Sequence, residues 1–153
     1  MWHFLLFHRL RNCFFCGKIP LVNEQNLRIV EVVAAVIYDD DGRVLATRCA
    51  PHKHNGGWEF PGGKIEHGES PEAAVVREIS EELNVQVRVG KLLHTVEWDY
   101  PTFHLRMYCY ACSMQNGTLQ LREHTAYRWL GAADINSVDW LPADVDVLPH
   151  LFR

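Results

Sequence analysis

The sequence predicts an α+β domain, and three observations carry that expectation. Residues 30–38 are a dense run of valine, isoleucine and alanine. Residues 103–113 alternate, with Phe103, Leu105, Met107, Cys109 and Ala111 on one side and His104, Arg106, Tyr108 and Tyr110 on the other. Val75, Ile79 and Leu83 recur at every fourth position. The first two are strand patterns and the third is a helix stripe. A chain of 153 residues, 48% apolar and 22% charged, is the size of one domain and carries enough apolar side chains to bury one core. The formal net charge is −4 with no basic run, which excludes the electrostatic footprint of a duplex nucleic-acid partner. No apolar stretch approaches the length of a membrane span, so no membrane partner is expected and the chain reads as cytoplasmic.

Residues 1–26 stand apart as an N-terminal extension. Their apolar start precedes Arg9 and Arg11, the reverse charge order of a secretory signal, and Cys13 and Cys16 have the spacing of half a zinc knuckle. Cys109 and Cys112 cannot supply the other half, because positions i and i+3 of a strand point to opposite faces. The five cysteines, an odd number, therefore read as free thiols. Residues 27–153 form the domain, and the extension is expected to be dispensable for it.

The domain opens with residues 30–38 and 43–48 as two strands of a hairpin, since Asp39-Asp40-Asp41-Gly42 between them is turn chemistry. Residues 49–57 are a loop leading into Trp58-Glu59-Phe60. The helix starts after Ser70, a good N-cap. Pro71 fits the first helical position, and Glu72 suits the positive end of the dipole. Val76 is expected to widen the apolar stripe. Strands follow at residues 86–96 and 103–113. Gln115-Asn116-Gly117 predicts a tight turn into a strand at residues 118–121, residues 126–130 predict another strand, and residues 141–148 a short amphipathic helix.

Glu78, Glu81 and Glu82 stand at i, i+3 and i+4 of the helix, so they share a face with no lysine among them. Taken alone, this pattern is more often a solvated acidic face than a metal site. A hard divalent cation would also resolve the repulsion, and oxygen-only ligands favour magnesium or manganese over zinc. The longer spacing decides between the two. Gly63, Glu69, Arg77-Glu78-Ile79, Glu81-Glu82 and Val85 resemble the Nudix box, G-x5-E-x7-R-E-U-x-E-E-x-G-U with U aliphatic, at eight of nine defined positions. The exception is Asn84 in place of the last glycine. Asn is the side chain most often tolerated where a left-handed backbone closes a helix. Within the family the chain is most similar to the MutT-type nucleoside triphosphate pyrophosphohydrolases, including their CTP branch, from residue 30 to 151. That likeness also rests on Trp58-Glu59-Phe60-Pro61-Gly62-Gly63-Lys64-Ile65-Glu66 and Pro142-Ala143-Asp144.

The resemblance implies an α/β/α sandwich around a mixed sheet, with Mg2+ as cofactor and Mn2+ as a possible substitute. It implies hydrolysis of a nucleoside triphosphate to the monophosphate and pyrophosphate, by a monomer or homodimer, with an alkaline pH optimum. Oxidised deoxynucleotides such as 8-oxo-dGTP are the first expected substrates; CTP or dCTP, or another nucleoside diphosphate derivative, is the alternative. Glu78, Glu81, Glu82, Glu123 and the Gly62 carbonyl would hold metal, with Glu78, Glu81 and Glu123 catalytic. Arg48, Phe60 and Asp144 would bind substrate, while Gly63, Glu69 and Arg77 would be structural. Asp144 stands where MutT-type enzymes carry an asparagine that reads the base. An ionised carboxylate there would only accept hydrogen bonds, and the alternative for Asp144 is a helix cap. The fold also serves as a non-catalytic nucleotide-binding module, but such modules usually lose box carboxylates and this chain keeps all of them.

Overall fold

The computed structural model describes residues 27–152. The expectations for the extension, including Cys13 and Cys16, lie outside the described residues. Among the described residues seven strands form one mixed sheet: β1 (Arg28–Tyr38), β2 (Val44–Arg48), β3 (Trp58–Glu59), β4 (Gly62–Lys64), β5 (Val85–Tyr100), β6 (Phe103–Gly117) and β7 (Ala126–Leu130). The path runs β3-β2-β1-β6-β5, with β4 against β1 and β7 against β2. The β1–β6 pair is parallel and the others are antiparallel.

Helix α1 (Pro71–Leu83) covers one face. It buries Val75, Ile79 and Leu83 against Val33, Ala35, Ile37, Leu45, Tyr110 and Cys112. The opposite face packs Ala34, Val36, Met107 and Cys109 under Ala143, Val147 and Leu151 from α2 (Pro142–Val145) and the residues after it. The expected sandwich is therefore present, with one long helix on one side and a single turn on the other. Cys109 and Cys112 fall in different cores, as the strand period requires, and are free and buried together with Cys49. Among the described residues no helix is long and apolar enough to cross a membrane.

Four sequence expectations are corrected. The hairpin of β1 and β2 holds only at its turn, where Tyr38 pairs with Val44 and the Asp39 carboxylate accepts the Asp41 and Arg43 N–H groups. Beyond the turn the strands splay. β4 takes the place beside β1, with Gly62 opposite Ala34, and β3 takes the place beside β2, with Glu59 opposite Thr47. Val76 is 42% exposed, because the stripe that meets the sheet is narrower than the run of apolar residues. Gln115-Asn116-Gly117 is not a turn but the end of β6, paired with Val85 and Gln86, and residues 118–121 form no strand. Their backbone bonds to a helix end instead: the Gln120 N–H donates to the Leu83 carbonyl at 2.9 Å. Residues 141–148 make only the one turn of α2. A 3-10 turn, Leu148–His150, follows, where Pro149 lacks the N–H that an α-helix would use.

Candidate active site

The splay of β1 from β2 positions the site. The chain crosses the gap at Phe60 and Pro61, the Pro61 carbonyl accepting the Ala35 N–H at 2.8 Å, and delivers Gly62 and Gly63 to the flank of α1. The helix is set by its ends. The Ser70 hydroxyl accepts the Ala73 N–H at 3.2 Å, and Asn84 closes it in the left-handed region at φ 57°. Arg77 then ties helix to loop. It makes a two-pronged pair with Glu69, Nε to Oε1 and Nη2 to Oε2 both at 2.8 Å, and also donates to the Lys64 carbonyl. At Gly63 any Cβ would lie 2.4 Å from the Glu78 carboxyl carbon, so a side chain there would force that carboxylate to move. Gly63, Glu69 and Arg77 thus meet where the loop joins the helix.

The three box carboxylates share a helix face but not an environment. Glu82 is buried, 8% exposed, and its Oε2 accepts the Gly62 N–H at 3.1 Å. Burial, followed by the charges of Glu59, Glu78 and Glu123, pushes its pKa up to about 9. Glu78 is half-buried and raised by burial, while its bond from Arg77 at 2.7 Å pulls the other way. The Glu81 side chain is 60% exposed and lies 3.5 Å from Arg77. Glu123 reaches the same cluster from the loop before β7, since its charge raises both Glu78 and Glu82, and it pairs with Lys53 at 2.8 Å.

Two members of the cluster carry no spacing signal in the sequence. Glu59 on β3 is raised by burial, but hydrogen bonds from His124 and Cys49 outweigh this and hold it below the ordinary carboxylate range. His124 Nε2 lies 3.1 Å from Glu59 Oε1, while the buried Nδ1 has no hydrogen-bond partner. A separation of 65 in the chain leaves no periodicity to detect.

Among the described residues no three His, Cys, Asp or Glu side chains stand as a ready cage for an ion. Glu78 is engaged by Arg77, Glu82 by the Gly62 N–H and Glu123 by Lys53, while Glu81 is the most exposed of the box carboxylates. The donor chemistry nevertheless fits a hard divalent cation. The side-chain donors are carboxylate oxygens that raise one another's pKa, and only protons or a cation relieve that repulsion.

The other end of the crossing is built differently. Phe60 is buried and stacks on Trp140 with ring centroids 4.6 Å apart, and its N–H donates to Asp144 Oδ1 at 2.9 Å. Asp144 is brought there because residues 139–141 run beside β3: the Asp139 carbonyl accepts the Trp58 N–H, and the Leu141 N–H donates to the Trp58 carbonyl. Asp144 is not the N-cap of α2: that position is Leu141, which makes no side-chain cap bond. Burial, then the nearby Glu59 charge, holds its pKa well above the usual range. Burial thus favours its protonated form over the ionised acceptor expected from sequence. Arg48 lies at the end of β2 with Nε donating to the Gly56 carbonyl at 3.1 Å.

The model for the NUDIX domain matches residues 28–151. The CTP pyrophosphohydrolase of Escherichia coli K12 is 35% identical over 134 residues, covering 80% of this chain and 90% of that protein. The 8-oxo-dGTP diphosphatase of the same organism is 30% identical over 128 residues, covering 83% and 99%. The crystal structure of the MutT protein of Methanosarcina mazei Go1 superposes with a TM-score of 0.73 at 25% identity, covering 82% of this chain and 94% of that one. With the box helix, the glycine crossing and the mixed sheet in place, these matches show that the chain belongs to the Nudix hydrolase family, as a pyrophosphohydrolase.

Proposed function

We propose that this protein is a Mg2+-dependent nucleoside triphosphate pyrophosphohydrolase that releases the monophosphate and pyrophosphate, with 8-oxo-dGTP as its preferred substrate. The carrying observation is the acidic cluster of Glu59, Glu78, buried Glu82 and Glu123 at one end of the Phe60–Pro61 crossing, with buried Asp144 at the other. The first end suits phosphates with a cation and the second suits a base.

Glu78, Glu81, Glu82, Glu123 and the Gly62 carbonyl would hold the metal, and Mn2+ would serve in its place. When bound, the cation neutralises phosphate charge and makes water a better nucleophile. The chain's own groups do the rest. Glu78, Glu81 and Glu123 are the candidate acceptors for the proton of the attacking water, and Arg77 holds Glu78 in place. Arg48 contributes a cation for phosphate. At the base end, a neutral carboxylic acid can donate from one oxygen and accept at the other, as an amide does. Asp144 can therefore match the mixed carbonyl and amino edge of an oxidised guanine, beside the Phe60 ring.

A cytidine nucleotide is the second reading, favoured by the relative named CTP pyrophosphohydrolase at 35% identity. Cytosine also presents an amino group next to a carbonyl or ring acceptor. Assaying dGTP, 8-oxo-dGTP, CTP, dCTP, UTP and dTTP side by side with Mg2+ separates the two readings. Release of orthophosphate in place of pyrophosphate would overturn the reaction type.

A further inference from the structure

We propose that Asn84 and Arg122 form a positioning pair that holds Glu123 against the box helix, a role that the glycine of the box pattern could not fill. The proposal rests on reading Glu123 as a functional carboxylate.

The last carbonyls of an α-helix have no partner within it and must find one elsewhere. In α1 the segment that carries Glu123 supplies them. The Gln120 N–H donates to the Leu83 carbonyl at 2.9 Å and the Arg122 N–H to the Glu82 carbonyl at 3.0 Å. The Arg122 guanidinium adds two further contacts, Nη2 to Asn84 Oδ1 at 2.5 Å and Nη1 to the Glu81 carbonyl at 3.5 Å. Its positive charge also suits the negative end of the helix dipole. On the far side of Glu123, the Thr125 N–H donates to the Arg48 carbonyl at 2.9 Å. Glu123 is thus held from both flanks, and its own side chain is half-exposed.

Asn84 makes two contributions that can be separated. Its backbone sits in the left-handed region, which glycine adopts at least as readily. Its side-chain oxygen receives Arg122, which glycine cannot do. The departure from the box pattern therefore leaves the helix end intact and adds a tie to the loop. Because Glu81 and Glu82 lie in the same last turn, the tie sets Glu123 relative to two box carboxylates.

The test measures kcat, KM and melting temperature for Asn84→Gly, Asn84→Asp, Arg122→Met, Glu123→Gln and the double variant Asn84→Gly/Glu123→Gln, all as full chains with Mg2+. Asn84→Gly and Arg122→Met should each lower kcat about 3- to 10-fold, the scale of one lost hydrogen bond, with KM little changed. Asn84→Asp keeps an acceptor oxygen and should stay within about twofold of wild type. The melting temperature of Asn84→Gly should not fall, which separates the effect from a loss of fold. If Asn84→Gly does not fold, Arg122→Met carries the comparison from the other side of the bond. In the Glu123→Gln background the Asn84→Gly effect should vanish. Wild-type kcat in both Asn84→Gly and Arg122→Met, or an undiminished Asn84→Gly effect when Glu123 is already removed, overturns the pair. Wild-type kcat in Glu123→Gln itself would instead remove the reading of Glu123, and the pair's role with it.

Discussion

Two buried carboxyl groups bracket the segment that crosses the gap between β1 and β2. Glu82 accepts the Gly62 N–H at 3.1 Å and Asp144 accepts the Phe60 N–H at 2.9 Å. Burial lifts both pKa values, but their company differs. Glu82 is raised further by Glu59, Glu78 and Glu123, whereas only Glu59 adds to the rise at Asp144. Protonation relieves one isolated buried acid at little cost. A group of acids held together keeps a demand for positive charge that protons meet only while the pH is low enough. On the proposed function, the same side-chain chemistry would serve cation and phosphate at one end and hydrogen bonding to a base at the other.

The largest break in that comparison should come from Glu82→Gln. It keeps shape and the bond from Gly62 while removing a ligand charge, so kcat should fall about 100- to 1,000-fold, the scale of losing one preorganised electrostatic contact. A melting temperature equal to or above wild type should accompany the loss. Wild-type turnover in this variant would place the cation elsewhere.

A pH series without metal sharpens the contrast. The folded pKa of Glu82, about 9, exceeds the value near 4.5 of a free glutamate, so between these values the folded chain keeps a proton that the unfolded chain has lost. Its contribution to stability is complete below about pH 4.5 and declines as pH rises toward 9. The melting temperature of the metal-free protein should therefore drop over that window, less steeply in Glu82→Gln, and Mg2+ should raise it more at pH 9 than at pH 6. Parallel pH profiles for wild type and variant would remove Glu82 as the group responsible.

Asp144→Asn should have a smaller effect, because the amide reproduces the donor and acceptor of the protonated carboxyl that burial favours. The ranking of the six nucleotides should shift by about 2- to 10-fold, the net value of one neutral hydrogen bond. A uniform loss across the panel, with lower stability, would make Asp144 a packing residue and nothing more. The smallest effect is expected for Lys53→Met. Its pair with Glu123 is between side chains 41% and 51% exposed, so denaturant titration should find stability changed by no more than about 0.5 kcal/mol.

What the sequence determined by itself was local. Ser70, Pro71 and Asn84 mark both ends of α1, because caps act within a turn or two of the residues that make them. The period of four placed Val75, Ile79 and Leu83 in the core, and the period of two separated Cys109 from Cys112. The Nudix spacing named the carboxylates of the box. It could not say that Glu82 is buried and Glu81 open, since both stand on one helical face and only the approach of Gly62 and Gly63 through the gap tells them apart. Glu59 and His124 escaped for the same reason, being neighbours only once β3 lies beside the loop before β7. Residues 118–121 read as a strand because their apolar alternation is real. Leu119 and Leu121 do pack on the helix side of the core, but the unpaired carbonyls at the end of α1 took the hydrogen bonds that a strand would have used. Side-chain periodicity is written residue by residue, whereas the partner of a backbone group or a buried charge is decided by whichever distant segment the fold brings within reach.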